Sequence, residues 1–473
     1  MEAIVVGTGP SGVAAIAKLL ECGIRPLVLD AGIVSKQAGI ANVASSAPRT
    51  EGMKTWFGSD EALQQVKLDV PVDFAGAVTA RPSYGFGGLS RIWGATFDFY
   101  DFSSWPSESR PSQEDVEFIR DLVPHSRTVW SGIQAGENRV LGNSRAGQLF
   151  KSMSDSLRSQ GWESKESVVA IDTKKDSTRS CCGSARCLTG CPRDAIWFAG
   201  NLIQNWIATD AIDYRPGYIV ERLESSFRQV KVIGSHFGEG VITTARTVFL
   251  ACGPISTGII LINSGFYDQL IVRDSATFFG GVVKFERPNT ADDRQGHQLS
   301  QWWLLAANKR ASMQVYGPSH EHLDRLRDRV NLPDQMLKQI LDYIYPVIGY
   351  LSQDDSESIV MNSFRSTVRL ESSGSRHVLG KFDQSIRDLR RLFLRHGVVV
   401  SPRLFRYSGV GGGYHSGSSL PMGVLSDRLG RPRSHSDQIH VVDSSVLPRI
   451  EVGSITPTIM ANAVRIVNEA LKL

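Results

Sequence analysis

The chain is short of net charge, of cysteine and of long apolar runs. Its 52 basic and 48 acidic side chains leave a formal net charge of +4 over 473 residues, a balance that gives no field for attracting nucleic acid. The N-terminal sequence has no pattern of a cleavable export signal, and no run of about 18 or more apolar residues occurs. We therefore expect a cytoplasmic protein without a membrane span, with co-export alongside a partner left open. In that compartment the six cysteines are more often reduced, catalytic or metal-bound than paired in a disulfide framework.

Apolar residues are plentiful enough for a large core. At 473 residues and 41% hydrophobic content the chain exceeds the size of a usual single domain, so we expect two structural domains. No internal repeat and no long low-complexity segment is present, which argues against a solenoid or a disordered scaffold.

The first thirty residues have the pattern of a βαβ unit. The apolar run Ala3–Val6 predicts a buried strand. An apolar helix is predicted from Pro10 to Leu20 and ends before Gly23, and a second strand runs from Arg25 to Asp30.

The segment GTGPSG, between this strand and this helix, has the spacing of a dinucleotide-binding loop. Gly7 permits the tight turn, Gly9 lets the backbone approach a pyrophosphate, and Gly12 lets the helix pack closely on the strand. Asp30 then supplies a carboxylate for a ribose hydroxyl. Because strand, helix, second strand and acid occur in this order, the segment predicts a dinucleotide site and not a chance glycine turn.

A second glycine-rich stretch, GGLSRIWGA from Gly87 to Ala95, suits a loop laid against a flat cofactor. Gly87 and Gly88 allow close backbone approach, and Ser90 follows them. An ordinary glycine-rich loop is the alternative.

The C-terminal part carries the most specific motifs. They are GGGYHSGSSLPMG, with a histidine followed by small residues and Met-Gly over His415–Gly423, and a strand ending in Val-Asp-x-Ser-x-x-Pro over Val442–Pro448. TIMANA at Thr458–Ala463 and the strand–glycine–helix pattern of Arg246–Gly265 complete the set. These motifs resemble the glucose–methanol–choline (GMC) family of FAD-dependent oxidoreductases.

The resemblance implies an α/β fold in which a Rossmann-like FAD-binding domain, a parallel sheet with helices, is interleaved with a sheet-based α+β substrate domain. It implies that His415 lies near the flavin N5 and takes the hydroxyl proton of a substrate while hydride leaves the same carbon, a task that suits the pKa of histidine. Asp443 and Thr456 become cofactor contacts, with helix N-terminal amides facing a phosphate or a reduced flavin. A sugar or polyol substrate follows from family analogy alone.

Two positions depart from the family. The usual partner of the catalytic histidine is an asparagine or a second histidine, and Ser454 stands there. In some relatives a histidine bonds covalently to the flavin, but that position is Ile92, so we expect non-covalent FAD. The alternatives to an FAD-dependent dehydrogenase are a degenerate flavin-binding partner or assembly protein, suggested by Ser454, and an oxidase that uses oxygen directly.

Four cysteines lie in CCGSARCLTGCP. The pattern resembles the sugar-dehydrogenase branch of the GMC family, which implies that Cys181, Cys182 and Cys187 hold a 3Fe-4S cluster passing electrons to an external acceptor, a cytochrome or a quinone. Cys191 then belongs to a Cys-Pro turn. Plain reduced thiols and a redox disulfide are the alternatives.

The expected domain division places FAD-binding parts at 1–100, 181–274 and 406–473, and substrate or cap parts at 101–180 and 275–405. Within them we predict helices over Gln113–Leu122, Gln148–Gln160, Asp334–Tyr345 and Ser385–Gly397, a strand pattern over Ser358–Leu370, and a buried aromatic pair at Trp302 and Trp303. An anionic membrane surface is the weaker alternative for the arginine face of the helix at 385–397, and sugar stacking is the weaker alternative for the two tryptophans.

Overall fold

The computed structural model describes residues 2–32, 72–74, 78–80, 82–99, 101–127, 145–174, 176–183, 187, 191–285, 298–317, 331–365, 367–374, 377–433 and 437–472. The strands in chain order are β1 Ala3–Val6, β2 Leu27–Asp30, β3 Val72–Phe74, β4 Ser126–Arg127, β5 Trp162–Glu166, β6 Val168–Val169, β7 Asp213–Pro216, β8 Tyr218–Ser225, β9 Val230–His236, β10 Glu239–Ala245, β11 Thr247–Leu250, β12 Gln269–Asp274, β13 Thr277–Lys284, β14 Ser300–Ala306, β15 Ala311–Tyr316, β16 Ile344–Leu351, β17 Ser358–Phe364, β18 Thr367–Ser372, β19 Val398–Val399, β20 Arg406–Tyr407, β21 Ser416–Gly417 and β22 Ile439–Val441. The α-helices are α1 Pro10–Glu21, α2 Gln113–Leu122, α3 Arg145–Ser159, α4 Ala199–Ala208, α5 Pro254–Asn263, α6 Asp334–Leu341, α7 Val378–Arg395 and α8 Thr456–Ala470.

A parallel sheet in the order β22-β11-β1-β2-β7 forms the first layer. Its central strands are buried along their whole length, as strands covered on both faces must be. Helices α1 and α8 pack against each other, and the inner residues of both are buried. Because β1 and β22 are more than 400 residues apart in the sequence, this Rossmann-like layer is built from segments far apart in the chain.

A seven-stranded sheet, in which each neighbouring pair is antiparallel, forms the second layer. Its order is β19-β13-β16-β15-β14-β5, with β20 also paired to β13. One face packs against α3 and α7, where Phe150 of α3 lies in a buried cluster with Phe382 and Phe393 of α7. The fold class predicted from the sequence is therefore confirmed: a Rossmann-like layer interleaved with a sheet-based α+β layer.

Three smaller sheets complete the described structure, in the orders β10-β9-β8, β21-β12-β17-β18-β3 and β4-β6. The second of these fixes the loop that carries His415. Strand β21 pairs with the end of β12, where Asp274 lies opposite Ser416, and the backbone N–H of Ser275 donates to the His415 carbonyl at 3.0 Å.

Several predicted elements differ from the structure at their ends. The helix predicted over 334–345 ends at Leu341, because the next residues pair as β16 with β13 and β15. The pattern over 358–370 is the hairpin of β17 and β18 and not one strand. Helix α2 has the predicted bounds, and a capping box between Ser112 and Asp115 sets its start. Trp302 and Trp303 are both buried.

None of the helices in the described ranges is long and apolar enough to cross a bilayer.

Candidate active site

Two glycine loops approach each other where the dinucleotide site was predicted. A Cβ atom added to Gly88 would lie 2.9 Å from the Cα of Gly9, and one added to Gly12 would lie 2.1 Å from the Gly7 oxygen. Gly9 is the N-cap of α1 and has no side chain to cover the first amides of that helix. These free amides and the open space beside Gly9 suit a pyrophosphate, so the residues present fit the dinucleotide portion of FAD.

Asp30 ends β2, as predicted, and its carboxylate is already engaged. It accepts hydrogen bonds from the Thr8 hydroxyl and from the backbone N–H of Gly32 at 3.0 Å. Burial raises the pKa of Asp30 to about 7, an effect that these hydrogen bonds and the nearby Arg91 cation partly offset. A carboxylate has about four acceptor positions, so a ribose hydroxyl can still donate to it.

The predicted glycine-pair loop contains a short 3₁₀ turn, Gly88–Arg91, in which the side chain of Ser90 is buried. The Ser90 hydroxyl donates to the Gly87 carbonyl at 2.6 Å and accepts from the Ala199 N–H at 3.1 Å, at the start of α4. Ser90 therefore connects the loop to the start of α4. Because its one hydroxyl proton is donated to Gly87, Ser90 has no proton left to donate to a cofactor.

Arg91 is a cofactor-binding candidate that the sequence analysis did not single out. Its guanidinium lies beside Asp30, and its Nη2 donates to the Phe86 carbonyl at 3.1 Å. Its Nε is buried and has no hydrogen-bond partner among the described residues. Burial lowers the pKa of Arg91, while Asp30 raises it. A cation with a free donor next to the ribose position suits a diphosphate.

The carboxylate of Asp443 accepts hydrogen bonds from three groups of the protein. Its carboxylate accepts from the Gly253 N–H at 2.9 Å, the Thr257 hydroxyl at 2.5 Å and the Ser445 N–H at 2.9 Å. It thereby ties the start of α5 to the loop after β22. Thr456 is the first residue of α8, whose N-cap residue makes no side-chain hydrogen bond.

His415 lies in the loop before β21 with its ring stacked on Tyr350, the centroids 4.8 Å apart and the planes 23° from parallel. The Nδ1 atom is buried without a partner within the described ranges. Burial of the ring lowers the pKa of His415 to about 4. The imidazole is therefore neutral at neutral pH and able to accept a proton.

The histidine loop and the glycine-pair loop touch each other. Ile92 packs against Leu89 and against Tyr414, the residue before His415. The structure thus brings together two motifs more than 300 residues apart in the sequence that were both assigned to the flavin site. The absence of a histidine at Ile92 stays the reason for expecting a non-covalent cofactor.

Ser454 does not point freely into the site. Its hydroxyl donates to the Thr96 carbonyl at 2.8 Å. The Thr96 hydroxyl in turn donates to Gln314 Oε1 at 3.3 Å, and the Tyr316 hydroxyl donates to the same oxygen at 3.0 Å. Gln314 and Tyr316 lie outside every sequence motif described above. The sequence pattern that could have indicated them is the alternation of polar and apolar residues in ASMQVY. In a strand this alternation places Ser312, Gln314 and Tyr316 on one face of β15.

The predicted cluster ligands Cys181, Cys182 and Cys187 are free thiols, Cys182 exposed and Cys187 buried. Residues 184–186 and 188–190 of that segment lie outside the described residues. No group of three or more His, Cys, Asp or Glu side chains is arranged to hold a metal ion in the part of the chain that the structure describes. Burial raises the pKa of Cys187 to about 12 and also raises that of Cys181. The assignment of Cys181, Cys182 and Cys187 as cluster ligands stays a prediction of the cysteine pattern, with reduced thiols as its alternative.

Comparison with known proteins gives a structural match only. No protein-family model matches the chain, and no curated protein matches it. The crystal structure of pyridoxine 4-oxidase from Mesorbium loti matches it with a TM-score of 0.62 at 13% sequence identity, over 100% of this chain and 99% of that chain. The chain therefore has the fold of pyridoxine 4-oxidase, the two-domain architecture that its resemblance to the GMC oxidoreductases implies.

Proposed function

We propose that the protein is an FAD-dependent oxidoreductase that converts an alcohol group into a carbonyl. One observation carries the proposal. Burial keeps the imidazole of His415 neutral, and its Nδ1 has no partner among the described residues. The loop that carries it packs through Tyr414 and Ile92 against the glycine-pair loop, which itself meets the Gly9 loop of the dinucleotide site. A base and a cofactor cradle therefore share one site. The structural neighbour, named as an oxidase, supports oxidoreductase chemistry on this fold.

The residues of the cradle hold the cofactor in this proposal. The Gly9 loop and the α1 amides receive the diphosphate, Arg91 adds a cation to it, and Asp30 accepts from the ribose. Bound FAD supplies the hydride acceptor for the alcohol carbon.

His415 accepts the proton from the substrate hydroxyl, so the alcohol loses one proton and one hydride and becomes a carbonyl. The stacked Tyr350 ring fixes the plane of the imidazole. The buried hydroxyl and amide groups of Ser312 and Gln314 support a polar substrate such as a sugar or polyol. A quinone or a cytochrome is the proposed external electron acceptor.

The test uses holoenzyme mixed without oxygen with a panel of D-glucose, sorbitol, glycerol, benzyl alcohol and pyridoxine. Loss of flavin absorbance near its visible maximum supports the enzyme. Protein that binds stoichiometric FAD but is reduced by none of these alcohols favours the second candidate, a flavin-binding partner or assembly subunit, for which the engaged hydroxyl of Ser454 is the supporting observation. Rapid reoxidation of reduced protein by air identifies an oxidase.

Electron transfer through an iron–sulfur cluster stays a prediction of the cysteine pattern, and no step of the proposal uses it. Analysis of anaerobically purified protein for iron and acid-labile sulfide tests it. About three irons per chain support the cluster. Iron-free protein from an iron-replete preparation contradicts it and leaves direct reoxidation by oxygen or a quinone.

A further inference from the structure

The site needs a second hydrogen-bond donor that Ser454 does not supply. A serine hydroxyl carries one proton, and Ser454 donates it to the Thr96 carbonyl at 2.8 Å. If the protein oxidises an alcohol as proposed above, the oxygen that becomes a carbonyl gains negative charge as its proton leaves, and a fixed donor stabilises that charge.

The face of the seven-stranded sheet turned away from α3 and α7 carries the candidates. Met313 and Val315 of β15 lie in the buried cluster with those helices, so the residues that alternate with them lie on the other face. All three of these residues, Ser312, Gln314 and Tyr316, are buried although they are polar.

This polar face is turned toward His415. Ser312 lies opposite Tyr350 in the β15–β16 register, and Tyr350 stacks on the His415 ring. At the other end of β15 the Tyr316 hydroxyl lies against the predicted flavin loop, since a Cβ on Gly94 would be 3.4 Å from it. Gln314 lies between these two contacts.

The amide of Gln314 is oriented by its neighbours. Its Oε1 accepts from the Tyr316 hydroxyl at 3.0 Å and from the Thr96 hydroxyl at 3.3 Å. The hydrogen bonds of Gln314 to described residues are both made by Oε1, and Nε2 makes none. A side-chain amide carries two N–H donors on its nitrogen, so Nε2 can donate to an oxygen that the protein itself does not provide.

We infer that Gln314 is a catalytic residue whose Nε2 donates a hydrogen bond to the oxygen of the reacting alcohol, opposite His415. In this arrangement Tyr316 and Thr96 are positioning residues, because their hydroxyls orient the Gln314 amide. Ser454 in turn fixes Thr96 through the hydrogen bond to its carbonyl. The donor that the GMC family places at the position of Ser454 is supplied here from the substrate sheet.

The experiment compares Gln314→Glu and Gln314→Met holoenzymes with wild type. Gln314→Glu keeps an oxygen that can accept from Tyr316 and Thr96 but replaces the NH₂ donor, and Gln314→Met is a neutral variant without a donor. Gln353→Glu is the matched control, since Gln353 also uses its Oε1 as an acceptor, from the Ile450 N–H at 2.7 Å, and lies outside β15.

Two readouts are measured. With an alcohol that reduces the wild-type flavin, both Gln314 variants lower the reduction rate constant by about 10²-fold, the usual loss for one oxyanion donor, while FAD content is retained. Acetate, whose carboxylate resembles the charged oxygen, is also titrated into oxidised holoenzyme and followed by the flavin spectrum. Its Kd rises by about tenfold or more in both variants and not in Gln353→Glu.

The inference is overturned if Gln314→Met reduces flavin and binds acetate as wild type does, or if wild-type holoenzyme binds no acetate. A wild-type protein that binds FAD and acetate but is reduced by no alcohol of the panel contradicts the proposed function, and the acetate titration then decides the role of Gln314 by itself.

Discussion

The imidazole of His415 stacks on the phenol ring of Tyr350 with a centroid separation of 4.8 Å. His415 belongs to the loop that pairs through β21 with β12, whereas Tyr350 belongs to β16 of the seven-stranded sheet. Burial, and then the neighbouring Tyr316, keep the pKa of Tyr350 well above its ordinary value, so the phenol stays neutral. The contact therefore joins His415 to the seven-stranded sheet without adding a charge next to the imidazole.

Replacing His415 by alanine should lower the rate constant for flavin reduction by about 10²-fold or more, because the general base is lost. FAD content should be unchanged, since His415 is not part of the glycine cradle. Stopped-flow reduction under anaerobic conditions measures the rate. His236→Ala, in the three-stranded sheet that contains β9, is the control. A variant that reduces flavin at the wild-type rate removes His415 from the mechanism.

The pH dependence of flavin reduction should have its acidic limb near pH 4 and not near 6.5. His415 can accept a proton only when it is neutral, and burial lowers its pKa from 6.5 to about 4. The rate should therefore stay level as the pH falls through 6.5 and decrease as it falls through about 4. A profile measured from pH 4 to 9 that halves near 6.5 contradicts the burial of the imidazole.

Replacing Gly88 by alanine should weaken FAD binding. The new Cβ would lie 2.9 Å from the Cα of Gly9, and Gly88 has a φ of +57°, which favours glycine. We expect the Kd of FAD to rise at least about tenfold, equivalent to about 1.4 kcal/mol. Titration of apoprotein measures it. Gly240→Ala, where a Cβ meets no atom within 4 Å, is the matched control. Equal Kd values for the two variants contradict the predicted cradle.

Replacing Asp274 by asparagine should stabilise the protein more at pH 8 than at pH 5. Asp274 is buried at the end of β12, accepts from the Gly411 N–H at 2.8 Å, and has a pKa raised by burial from 3.8 to about 7. The folded state therefore holds its proton more tightly than the unfolded chain does. The contribution of Asp274 to stability is full below about pH 4 and is lost as the pH rises through 7.

Asparagine keeps the acceptor for Gly411 and cannot ionise, so the change in the free energy of unfolding should favour the variant by about 4 kcal/mol at most above pH 7. Denaturant unfolding at pH 5 and pH 8 measures it. Asp155→Asn, fully exposed on α3, should show no such pH dependence. A difference between Asp274→Asn and wild type that is the same at both pH values contradicts the raised pKa.

The local elements could be predicted because their causes lie within a few residues. The βαβ unit from Ala3 to Asp30 follows from apolar runs and glycines at fixed spacing, and its strands and helix differ from their predicted bounds by only a few residues. Helix α2 begins where predicted because Ser112 and Asp115 cap each other at its N-terminus. The glycine motif and the His415 motif were visible for the same reason, since each is a short contiguous pattern.

The partners of the site residues were decided by the tertiary structure. Ser454 donates to Thr96, which lies 358 residues away in sequence, and Asp443 accepts from Gly253 and Thr257 on another segment. Nothing in a linear pattern shows which strand of a sheet will lie opposite a given loop. The orientation of Gln314 depends on the register of β15 with β16 and on the approach of Thr96, so it is fixed by long-range packing and hydrogen bonds and not by the residues around it in the chain.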